Sequence, residues 1–227
     1  MTTKQRDVYE LLLGELVGGR YRFGEAVLVK EVAAATGASK HPIMSALQRL
    51  QAEGFVRITA QVGCQVVSPR SAEIGDFFLM FSRMEATMAE LAAQRGSEDE
   101  ITRLSIINEQ IRRLPRRDGR SGERYRVLNR EFHAALHAMS RSPRLHEQLR
   151  LSWAMSDFLI SQADEFSRHI SAAADEHEEI IESVRRRDGP RARRAMEAHI
   201  LEFRLKVLEE LDVRGPELEE TGVSLEH

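Results

Sequence analysis

The chain has 227 residues, 42% of them hydrophobic and 30% charged, with a formal net charge of −3; that is enough for two small domains with packed cores and too little positive charge for a wholesale nucleic-acid coat. One cysteine, Cys64, excludes an intrachain disulfide framework and points to a reducing compartment. No apolar run approaches the roughly 18 residues that cross a membrane, and the polar start from Thr2 to Asp7 lacks a signal-peptide pattern, so a cytoplasmic location is expected.

The charge is uneven. Residues 1–70 hold nine Lys/Arg against six Asp/Glu, and the remainder is acidic. A mildly basic head on an acidic body suits a head that touches phosphates.

In chain order, Val8, Leu12 and Leu16 mark an amphipathic first helix, stopped by Gly18-Gly19. A connector runs from Arg20 to Val29. A short helix follows over Lys30–Thr36, broken by Gly37. Ser39 is placed to cap a third helix with Pro42 in its first turn and Ile43, Ala46, Leu47 and Leu50 on one face. After Gly54 the period changes. Residues 55–59 and 65–67 read as two strands around a turn containing Gly63. Helix, helix, glycine turn, helix, hairpin is the order of a winged helix-turn-helix. Ser68-Pro69-Arg70-Ser71 reads as a linker. Everything beyond reads as helix, over about 72–95, 97–113, 122–140, 142–165, 167–187 and 190–212. The predicted fold is therefore mainly α: a winged helix-turn-helix over 1–70, an all-helical antiparallel bundle over 71–213, and a tail over 214–227 whose Leu225-Glu226-His227 reads as the start of a tag.

In a winged helix-turn-helix the first turns of the third helix enter the major groove. The candidates for DNA contact are Ser39, Lys40, His41, Met44, Ser45 and Gln48, with Arg49, Arg57 and Gly63 around them. The run Gly37-Ala38-Ser39-Lys40-His41-Pro42-Ile43-Met44-Ser45-Ala46-Leu47-Gln48-Arg49-Leu50-Gln51-Ala52-Glu53-Gly54-Phe55-Val56 resembles the GntR family of bacterial regulators. The resemblance implies arginine at the positions of Lys40 and Met44, threonine at His41, glutamate at Ser45, a wing arginine at Val62 and a connector proline at Phe23. With those groups absent, a different operator or weaker binding is expected.

Three histidines sit on apolar helical stripes. His177 precedes Ile181 and Val184, His199 lies with Met196 and Phe203, and His133 follows Asn129 by one turn. His177 and His199 are each 11 residues from residue 188, inside the Asp188-Gly189-Pro190 turn. In an antiparallel hairpin they lie level, about 16 Å up each helix at 1.5 Å per residue. Two level, inward-facing histidines plus an i, i+4 Asn/His pair favour a shared divalent transition metal: zinc first, with nickel, iron or manganese as alternatives. Asn129 is either a ligand or a hydrogen-bonding neighbour of His133. Arg83 is either a clamp for a ligand carboxylate or a salt-bridge partner of an acid on another helix. His137, His146 and His169 read as surface or structural, Trp153 as core or pocket wall, and the arginines at 185–187, 191, 193 and 194 as solvated.

The pieces Arg83-Met84-Glu85, Asn129-Arg130-Glu131-Phe132-His133, Glu176-His177-Glu178-Glu179-Ile180 and Ala195-Met196-Glu197-Ala198-His199-Ile200 resemble the FCD effector domain of the FadR subgroup of GntR regulators. That resemblance implies a divalent metal on Asp-x-x-x-His and two later histidines, often completed by a small carboxylate. Asn129 in place of the aspartate leaves the site one negative charge short, so metal affinity should fall and attraction for an anion should rise. The expected protein is not an enzyme but a homodimeric, ligand-responsive regulator reading a palindromic operator in double-stranded DNA. A metal-dependent hydrolase or lyase on a helical bundle is the alternative. A third reading makes the metal itself the signal.

Overall fold

The computed structural model describes residues 2–115, 121–163 and 170–212. His169 and the tail 214–227 lie outside the described residues. Within them run nine helices and one two-stranded antiparallel hairpin. The described residues divide into two compact units, 2–73 with 153–163 and 209–212, and 74–115 with 121–152 and 170–208.

In the first unit, α1 (Thr3–Val17) opens with a capping box: the Thr2 hydroxyl accepts from the Gln5 amide, and the Gln5 side chain accepts from the Thr2 amide. Its buried face is Val8, Tyr9, Leu12 and Leu16. α2 (Val29–Thr36) ends at Gly37, whose φ of 61° needs a residue free of a Cβ penalty. α3 (Lys40–Ala52) buries Ile43, Ala46, Leu47 and Leu50. Ser39 holds the N-cap position in extended conformation, but its hydroxyl makes no capping bond.

The hairpin shifts from the sequence expectation. β1 is Val56–Thr59, β2 is Gly63–Val66, and Val56 pairs with Val66 and Thr59 with Gly63. Gly63 thus begins a strand, and residues 60–62 make the turn with its left-handed position at Gln61, φ 63°. The connector adds a bridge the sequence did not announce: Ala26 pairs with Gln65, and Val27 N–H donates to the Cys64 carbonyl at 2.8 Å. Burial pushes the Cys64 thiol up to about 11, so it stays protonated.

The same unit includes the last turns of α7 (Pro143–Ser161). Phe158 is fully buried and packs edge-on against both Phe23 and Phe55, each at 5.6 Å between ring centres. The Gln162 side chain donates to the Tyr21 carbonyl at 3.1 Å and accepts from the Phe23 amide at 3.0 Å. The first unit reaches in space well beyond residue 70, because a helix remote in sequence fills its core.

In the second unit, α4 (Ser71–Arg95) carries a buried stripe of Ile74, Phe78, Phe81, Glu85, Met88, Ala89 and Ala92. α5 (Glu98–Arg112) starts with a Ser97/Glu100 capping box. α6 is Ser121–Met139, α8 is Ile170–Arg185 and α9 is Gly189–Asp212. α5 packs on α6 and α8. Asn108 binds the Ala174 carbonyl, and Arg112 the Asp175 carboxylate. Arg185, Arg187 and Arg193 are exposed, as expected, and also bridge helices: Arg187 donates to the Gly96 carbonyl and to Glu98, Arg185 to Ser105, and Arg193 to Glu90. Gly189 takes a side-chain-free place on α4, where a Cβ would meet Glu90 and Gln94 at 3.3 Å. Trp153 is core, as one of its two readings had it.

Candidate metal centre and DNA-facing surface

Three imidazoles from three helices converge inside the second unit. His133 comes from α6, His177 from α8 and His199 from α9, all buried, each with one nitrogen within 4.8 Å of the others. The α8–α9 turn brings His177 and His199 level, and their Nε2 atoms are 3.3 Å apart. Phe132 stacks face to face on His177 at 3.9 Å, and Phe203 meets His199 edge-on at 5.0 Å. Aromatic walls therefore set the planes of both rings.

Carboxylates hold the outer nitrogens of two of the rings. His133 Nδ1–H donates to Glu85 Oε2 at 2.9 Å, and His199 Nδ1–H donates to Glu176 Oε2 at 2.6 Å. A carboxylate accepts only, so each of these rings carries a proton on Nδ1 and turns Nε2 toward the centre. His133 Nε2 and His177 Nδ1 are buried and make no hydrogen bond. Buried polar nitrogens are ordinarily satisfied, and an inward lone pair on His133 is what a metal ligand requires. Burial pushes His133 down to about 4, against the pull of Glu85, and burial with the neighbouring His199 and His133 pushes His177 well below its ordinary value. Both are neutral near pH 7. Metal–nitrogen bonds of about 2.05 Å at tetrahedral angles separate the nitrogens by about 3.4 Å; the observed 3.3 Å fits that edge. The donor set fits a zinc-like dication with at least one open position.

Asn129 sits one turn before His133, half-buried, and its Oδ1 accepts from the buried Tyr125 hydroxyl at 3.3 Å. Arg83 is not brought to the cluster. It is exposed on α4, while Glu85, two residues on and so on another face, is the α4 residue that meets the histidines. Sequence reasoning missed Glu85 and Glu176. Glu85 had a readable signal, a charge at a core position of the α4 stripe. His137, read as surface or structural, is buried, and its Nε2 lies 2.8 Å from Glu85 Oε1. His146 is exposed, with its ring edge-on to His137. Glu85, His133 and His137 form a second close group of possible metal-binding atoms. A cavity of about 550 Å³ between the end of α5 and the start of α6, lined by Gln110, Leu114, Val127 and Leu128 among others, includes none of the clustered histidines.

In the first unit, Ser39, Lys40, His41 and Gln48 are exposed along the start and outer face of α3, with Met44 and Ser45 partly covered. Arg57 and Gly63 are exposed on the hairpin. Arg49 departs from this set. Its guanidinium lies 3.8 Å over the Tyr9 ring and its Nε donates to Glu53 at 2.9 Å, while the Tyr9 hydroxyl donates to the same carboxylate at 2.7 Å. Arg49 is a structural clasp between α3 and α1, because a partly buried acid and an aromatic face lie within its reach.

Residues 4–66 match the bacterial regulatory proteins of the gntR family, and residues 76–202 match the FCD domain. The chain is 26% identical to the Uxu operon regulator of Haemophilus influenzae over 230 residues, covering 91% of this chain and 83% of that protein. It is 24% identical to the Exu regulon transcriptional regulator of Escherichia coli over 233 residues, covering 92% and 87%. The structure of E. coli McbR/YncC superposes with a TM-score of 0.77 at 17% identity, covering 93% of this chain and all of that one, a likeness of fold. No helix among the described residues is long and apolar enough to cross a membrane.

Proposed function

The chain belongs to the FCD domain family and carries the DNA-binding domain of gntR-type bacterial regulators ahead of it, and on that premise we propose a transcriptional regulator whose helical domain senses a small organic acid through a bound divalent metal. That it is a DNA-binding transcriptional regulator rather than an enzyme follows from the family and from relatives that are regulators along nearly their whole length. The finer reading rests on one observation: three buried imidazoles whose candidate ligand nitrogens converge within 4.8 Å, two of them 3.3 Å apart.

In this reading His133, His177 and His199 hold the metal. Asn129 Oδ1 is either a fourth donor or, through Tyr125, a fixed dipole beside it. When bound, the metal supplies a Lewis-acidic open position that a carboxylate of the effector completes. None of the three imidazoles is an anion, so the acid would be the first negatively charged group bound to the metal directly. Arg83 is exposed, so the acid is anchored by the metal rather than clamped by that guanidinium. The two carboxylates that meet the cluster, Glu85 and Glu176, accept hydrogen bonds from ring nitrogens and thus orient ligands; this disfavours a hydrolase built on the same centre. Residues 1–70 read DNA, 71–213 sense the effector, and two copies in the cytoplasm read a palindromic operator.

The test is selection of genomic DNA fragments by the purified protein at near-physiological salt, with excess competitor DNA and with Zn²⁺ present. Recovery of one palindromic sequence is expected. Recovery of unrelated fragments, with and without metal and candidate acids, contradicts specific reading by this head.

A further inference from the structure

We propose that Glu85 is the positioning residue of the metal centre, held in place by His137 behind it. The proposal rests on the metal reading above and adds two residues that touch no metal.

The carboxylate of Glu85 is fully buried on α4, at a stripe position flanked by Phe81, Met88 and Ala89. A buried charge there costs free energy that an apolar side chain of similar volume would not. Fold stability therefore gives little reason for an acid at this position, and the hydrogen bonds give one. Oε2 accepts from His133 Nδ1–H at 2.9 Å, and Oε1 accepts from His137 Nε2–H at 2.8 Å. The first bond fixes His133 in the tautomer whose Nε2 lone pair faces His177 and His199, and makes that nitrogen a stronger donor. The second occupies the other oxygen, so the carboxylate cannot rotate away. His133 and His137 lie one turn apart on α6, and one carboxylate from α4 ties both.

Glu176 stands toward His199 as Glu85 does toward His133, but it is partly exposed where Glu85 is sealed. Water can replace a partly exposed acceptor, and cannot reach a sealed one. The two carboxylates therefore differ in weight although their bonds look alike. The second metal-like grouping of Glu85, His133 and His137 is explained by the same bonds, since their 2.8 and 2.9 Å separations are those of hydrogen bonds.

The experiment uses the full chain. Zn²⁺ affinity is read by competition with a chromophoric chelator, and ligand geometry by the visible absorption of the Co²⁺ form. Glu85→Gln is expected to weaken Zn²⁺ binding about 10–100-fold and to alter the Co²⁺ bands, with Glu176→Gln giving a smaller loss. His137→Leu is expected to weaken binding less than Glu85→Gln, and His137→Gln, which keeps a donor to Glu85, to restore most of it. Melting curves of the metal-free variants show whether each remains folded. A folded Glu85→Gln that binds Zn²⁺ within about twofold of the unmodified chain, with unchanged Co²⁺ bands, overturns the inference while leaving the metal centre standing. Two Zn²⁺ per chain, one of them lost in Glu85→Gln, would make Glu85 a ligand and also overturn it. If the unmodified chain takes up no Zn²⁺, or His177→Ala binds as tightly, the metal reading itself fails.

Discussion

His177 Nε2 and His199 Nε2 stand 3.3 Å apart, delivered from two helices that meet at the Asp188-Gly189 turn. Two imidazole nitrogens so placed either share one proton or share one metal. With the buried Nε2 of His133 beside them, the second arrangement satisfies all three. His177→Ala is therefore expected to lower Zn²⁺ affinity at least about 100-fold, since one of the few ligands of a small site is removed. Stoichiometric metal in that variant, measured by elemental analysis after dialysis, would remove His177 from the ligand set.

Lys40 is exposed at the first position of α3, where a helix enters the major groove. Lys40→Ala should weaken operator binding with melting unchanged. If the ammonium neutralises a phosphate, its removal makes the slope of log K against log salt shallower by about 0.9. If it donates to a base edge, its removal relaxes discrimination at one operator position instead. Unchanged affinity at every salt concentration takes Lys40 out of the set that touches DNA.

Arg49 behaves differently. Its guanidinium covers Tyr9 and pairs with Glu53, whose carboxylate is mostly buried. Arg49→Ala should destabilise the chain by about 1–3 kcal/mol, read as a lower denaturation midpoint, because the acid keeps only the Tyr9 hydroxyl as a partner. A loss of DNA affinity with no loss of stability would return Arg49 to the DNA-facing group.

Glu100 caps α5 through Ser97 and receives both terminal nitrogens of Arg141, at 2.6 and 2.7 Å. The Arg141 hydrogen bond, with the Ser97 amide, holds its carboxyl down to about 2. The unfolded chain then binds the proton first as pH falls, so the stabilisation is complete above about 4.5 and is lost on the way down to about 2. Glu100→Ala should cost about 0.5–1 kcal/mol at about pH 7 through loss of the cap. The gap between it and the unmodified chain should close between about pH 4.5 and 2. A gap that persists at the acid end of that range would show that the carboxylate charge is not its source.

The helix–helix–hairpin head was legible because its signals are local: the glycine stops, the apolar face of α3 and the switch to a two-residue period at Phe55. The three histidines were legible because two lie symmetric about a turn, and helix geometry converts that symmetry into proximity. Glu85 was not. Its partners lie 48 and 52 residues away on α6, and nothing in the spacing of α4 says which helix it faces. Glu176 was hidden for the same reason: it is next to His177 in sequence and bonds to His199 across the helix pair. Arg49 has the right place to touch DNA, and only the packing of α1 shows that Tyr9 and Glu53 claim it first. The last turns of α7 were invisible as part of the first unit, since Phe158 and Gln162 reach the head by tertiary packing alone.

In the proposed function the three-histidine centre holds a metal that receives an acid. The measurement that meets it most directly is calorimetric titration of short-chain mono-, di- and hydroxycarboxylates into three samples: the Zn²⁺-loaded chain, the chelator-stripped chain and His177→Ala. Saturable binding of at least one acid to the loaded chain, abolished in the other two, is the predicted result. Binding of the same acid with equal affinity to the stripped chain would contradict the account, because the acid would then be held by the protein without the metal.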